Sequence, residues 1–72
     1  MEAEALRTVT TVGHQAEAEM VQSMLHAEGI ESIVRRSGAL AVHVGEAGPH
    51  EVLVAAADYD AAHELVHGAA PD

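Results

Sequence analysis

Ala16-Glu17-Ala18-Glu19-Met20-Val21-Gln22-Ser23-Met24-Leu25-His26-Ala27-Glu28, closed by Gly29 and followed at once by Ile30-Glu31-Ser32-Ile33-Val34, reads as a helix that stops on a glycine and turns straight into a buried strand. Ala18, Val21, Met24 and Leu25 fall on one face at about 100° per residue, with Glu19, Gln22, Ser23 and His26 opposite. Glu17 and Glu19 stand in the first turn, where unpaired amides favour negative charge. Gly29 supplies the left-handed residue that ends the helix.

Working outward, residues 6–12 (Leu-Arg-Thr-Val-Thr-Thr-Val) are rich in β-branched side chains and read as a strand, broken by Gly13-His14-Gln15. Downstream of the helix a second strand occupies residues 30–36, carried by Ile30, Ile33 and Val34. Ser37-Gly38-Ala39 is turn-like, residues 40–44 alternate as a short extra strand would, and Gly45-Glu46-Ala47-Gly48-Pro49 has the composition of a loop. A further strand over 51–55 centres on Val52-Leu53-Val54. Asp58 stands where an N-cap is wanted for a second helix, in which Tyr59, Ala62, Leu65 and Val66 share a face and which Gly68 and Pro71 stop. The expectation is one domain spanning 1–72, with an ordered core of about 6–67.

The hydrophobic fraction of 49% includes fifteen alanines, and one tyrosine is the only aromatic side chain. The core must come from Val, Leu, Ile and Met, and at this size it yields only a few kcal/mol net. No cysteine can brace it, so oligomerisation is the expected remedy, with a homodimer the default. A net charge of −9, with three arginines and no lysine, repels phosphate backbones and anionic lipid alike, so neither nucleic acid nor a membrane is expected as partner. No apolar run approaches a membrane span and the N-terminus is acidic, which fits a cytoplasmic protein.

Glu17-Ala18-Glu19-Met20-Val21, Leu25-His26-Ala27-Glu28-Gly29-Ile30, Glu51-Val52-Leu53-Val54, and Asp58 with Ala62-His63-Glu64-Leu65-Val66 together resemble the small bacterial DUF2007-like family of signal-transducing domains, from about Val9 to His67. Ala55 stands where that family usually has proline. The resemblance implies an α+β fold: a ferredoxin-like βαββα sandwich lacking the last strand, similar in shape to nitrogen-regulatory PII proteins, with two helices on one face of an antiparallel sheet. That arrangement would leave the first strand as an unpaired edge, open to a second copy or to a protein partner. It implies no cofactor.

His63-Glu64-Leu65-Val66-His67 spells the H-E-x-x-H of zinc peptidases, in which two imidazoles on one helical face hold the metal and the glutamate acts as general base. Only Asp72 lies beyond it as a further ligand, and the helical wheel puts His63 and His67 at the flank with Glu64 on the far side. Adventitious metal binding at His63 and His67 is the most this motif supports. Arg35-Arg36 could capture a carboxylate or phosphate; the plainer reading is an exposed pair balancing Glu31 and Glu46. The six histidines, His14, His26, His43, His50, His63 and His67, read as scattered surface residues; protonating all of them would move the formal charge from −9 to −3. Ser23, Ser32 and Ser37 lack a nucleophile-elbow setting. The expectation is a non-catalytic regulatory module acting through protein–protein contacts. The alternative is a small-ligand or metal-ion sensor using the Arg35-Arg36 loop or the histidines.

Overall fold

The computed structural model describes residues 5–36 and 47–68. Strand β1 (Leu6–His14) leads into helix α1 (Gln15–Ala27), then strand β2 (Ile33–Arg36), strand β3 (Ala47–Ala55), a 3-10 turn (Ala56–Asp58) and helix α2 (Tyr59–His67). The three strands form one antiparallel sheet in the order β1-β3-β2, an α+β fold whose strand order and directions are compatible with a ferredoxin-like unit lacking its last strand. Both helices pack on one face, where Val9, Val52 and Val54 of the sheet meet Ala18, Leu25 and Ala62 of the helices, with Ile30 beside them. The expected strand at 40–44 lies outside the described residues.

The helix exit follows the local rule. Gly29 has φ 84°, its amide donates to the His26 carbonyl at 2.9 Å, and the Ile30 amide donates to the Leu25 carbonyl at 2.9 Å. This is a Schellman motif, and its apolar partners Leu25 and Ile30 are both buried in the core. A Cβ on Gly29 would touch nothing within 4 Å, so the penalty for alanine is conformational alone. Gly29→Ala is expected to cost about 1 kcal/mol in a urea titration through backbone strain at positive φ.

Several boundaries differ from the sequence reading. β1 continues through Gly13 and His14, and β3 starts at Ala47 inside the expected loop, because His14 pairs with Ala47. Gly48 and Pro49 fall in the register irregularity between Val12/His50 and His14/Ala47, where proline's missing amide disturbs no ladder position. β2 begins at Ile33 rather than at residue 30: Ile30 is held by the helix exit, and the Gln22 side-chain amide donates to the Ser32 carbonyl at 3.1 Å. Asp58 precedes α2 but makes no side-chain capping bond; at φ −98° and ψ 1°, following a 3-10 turn, it lacks the extended backbone of an N-cap. Met24 is 39% exposed and points away from the core face assigned to it.

β1 contains a bulge that lets both of its core valines face the helices. Val9 and Val12 are three apart, so strict alternation cannot turn both toward the helices. The register steps from Thr8/Leu53 to Thr10/Val52, leaving Val9 as the extra residue. Both valines thereby join the core side, Val9 as a buried member and Val12 packed against it.

Candidate functional site

Arg35 and Arg36 are neighbours in sequence but lie on opposite faces of the sheet. Arg35 pairs with Glu51 in the register and Arg36 with His50. On the face away from the helices, Arg35 Nη2 donates to Glu51 Oε1 at 2.6 Å, and the Thr8 hydroxyl reaches the same oxygen at 3.5 Å. A polar row thus crosses all three strands, and the partner of Arg35 is Glu51 rather than Glu31. Glu46, the other partner expected, lies outside the described residues. The arginine side chain is 60% exposed, so the pair is well solvated. Arg35→Gln is expected to change stability by less than about 1 kcal/mol, and that small effect should shrink further in high salt.

Arg36 lies on the helix side, at the seam between α1 and β2. There a cavity of about 280 Å³ is lined by Gln15, Glu19, Gln22, Val34, Arg36 and His50. A second depression of about 390 Å³ continues along the same seam past Glu19 and Gln22 to His26, Glu31 and Ser32. The helix contributes Gln15, Glu19, Gln22 and His26, spaced so that they form one stripe. His50 is 3% exposed, which corrects its reading as a surface residue. The signal was present: His50, Val52 and Val54 share parity, so a strand that buries the valines buries the histidine too. Its Nδ1 lies 2.8 Å from the Gly48 carbonyl, which satisfies that side of the ring.

The H-E-x-x-H histidines belong to a column of rings along α2. Tyr59, His63 and His67 stack at successive helical turns, with ring centroids 5.5 and 4.4 Å apart. The Arg7 guanidinium closes one end at 3.8 Å from the Tyr59 centroid. At the other end His67 Nε2 lies 2.9 Å from the carbonyl of Val9, the bulge residue. A carbonyl only accepts, so Nε2 carries the proton in this arrangement. The column pins α2 to β1. Among the described residues, no three His, Cys, Asp or Glu side chains are grouped to hold a metal ion. His67→Ala is expected to destabilise the fold by about 1 kcal/mol through the lost bond, with His63→Ala nearer to neutral, read by chemical denaturation.

No helix among the described residues is long and apolar enough to cross a membrane. No curated protein and no solved structure matches the chain. A family model does match, over residues 6–69, which takes in every described element from the bulged strand to the second helix. The chain therefore belongs to the DUF2007 family, whose description reads "Putative prokaryotic signal transducing protein".

Proposed function

We propose that this protein is a non-catalytic regulatory module that works through protein–protein contacts and associates with a second copy of itself along β1. The observation that carries this reading is the position of β1. It is a nine-residue edge strand, and its outer side pairs with no other strand among the described residues. It contains no proline or lysine to discourage pairing. Leu6, 48% exposed, lies on β1 itself, so a strand added beside it would also cover apolar surface. The use of His63 and His67 in a structural column supports a role without catalysis. A cytoplasmic setting belongs to the same proposal.

Sedimentation velocity tests it. Two copies at −9 each repel, so dimerisation should strengthen when salt rises from about 20 to about 200 mM, as the Debye length falls. Hydrogen exchange should show β1 amides gaining protection with protein concentration while those of β2 do not. A monomer at all salt concentrations and high micromolar protein would sink the self-association.

A further inference from the structure

The α1–β2 seam has polar groups half committed to the protein, and the uncommitted halves describe a ligand. The Gly48 carbonyl accepts from His50 Nδ1, so in the neutral ring Nε2 remains an acceptor, on a residue that lines the 280 Å³ cavity. Gln15 donates its side-chain amide to Glu19 Oε2 at 3.0 Å, and Gln22 donates to the Ser32 carbonyl. Both glutamine oxygens, the second oxygen of Glu19 and His50 Nε2 keep acceptor capacity, and all four residues line one space. Arg36 brings positive charge to the same lining, and its five donors can serve a carboxylate alongside contacts within the protein.

A lone cation would meet Arg36 there, and a lone anion would meet Glu19. A molecule carrying both charges satisfies both. The volume lies near the roughly 300 Å³ lower end of small-molecule pockets, which selects a small ligand. We infer that this seam binds a free amino acid as its zwitterion. The ammonium group lies toward Glu19, the glutamine oxygens and His50 Nε2, and the carboxylate lies toward Arg36. Such binding goes beyond the contact role proposed above and does not depend on self-association.

The test is an NMR titration of the ¹⁵N-labelled full chain with glycine, L-alanine, L-glutamate and L-arginine, each to about 20 mM, with methylamine and acetate as the two halves of the ligand. At least one amino acid should give saturable shifts at Gln15, Glu19, Gln22, Val34, Arg36 and His50, with methylamine and acetate about tenfold weaker or worse. Glu19→Gln and Arg36→Gln should each weaken binding about tenfold. No saturation by any amino acid, half-ligands that bind as well, shifts mapping elsewhere, or parent-like binding by both variants would overturn the assignment. If a charge variant disturbs the whole spectrum, the comparison of zwitterion with its halves in the parent protein still decides.

Discussion

Leu25→Ala is expected to remove a large share of the stability of the fold. Leu25 is 0% exposed and, among the described residues, is one of the three largest side chains buried completely. Truncating such a leucine costs about 2–5 kcal/mol, through lost transfer energy and the cavity left behind. A chain of this length has a total stability of roughly 4–10 kcal/mol. Leu25 also sits in the helix exit, where its carbonyl accepts the Ile30 amide and its side chain meets Ile30, so the substitution loosens the Schellman contact as well. With a urea m-value of about 1 kcal/mol/M, the midpoint should fall by about 3 M. Met20→Ala is the control: Met20 is 70% exposed, and its loss should shift stability by no more than about 0.5 kcal/mol. If Leu25→Ala proved as mild as the control, the packing described for α1 would be wrong.

Ala62→Leu is the second large effect, and it acts by overfilling. Ala62 is 0% exposed on the inner face of α2, in the cluster that holds Ala18 of α1 and Val52 and Val54 of β3. Small residues at Ala18 and Ala62 let both helices lie close on a narrow sheet. Extra carbons there have no space, and overpacking of this kind costs about 1–3 kcal/mol. The helix can relieve the clash only by lifting away from the sheet. That motion would pull His67 from the Val9 carbonyl and Tyr59 from Arg7. Two readouts therefore move together: a lower denaturation midpoint, and changed ring-proton shifts for His67 and Tyr59. Unchanged stability with unchanged ring shifts would show that α2 does not rest on the sheet through Ala62.

The family's imprint was readable because it is carried by local rules. The helix exit at Gly29-Ile30, the inward parity of Val52 and Val54, and the shared face of Tyr59, Ala62, Leu65 and Val66 all follow from spacing within one element. The candidate site was far less legible. Arg35-Arg36 was read as a pair, yet strand alternation sends one side chain to Glu51 and the other to the helix seam. His50 was placed at the surface although it shares parity with two core valines, because a loop was expected to end just before it. The H-E-x-x-H letters read as a helix flank supporting at most adventitious metal binding, and nothing local pointed to the Val9 carbonyl that His67 contacts, 58 residues away.

By itself the sequence determined where helix α1 stops, which faces of β3 and α2 are apolar, and that the chain forms an α+β unit with too little apolar mass to be very stable. These depend on backbone preference and on periodicity, which act over a few residues. Tertiary structure alone decided that Met24 faces outward, that β1 bulges at Val9, and that His50 lines one cavity with Gln15, Glu19 and Gln22. Each of those outcomes depends on which neighbour covers which face. That is settled by packing between elements distant in sequence, and no local window of residues contains it.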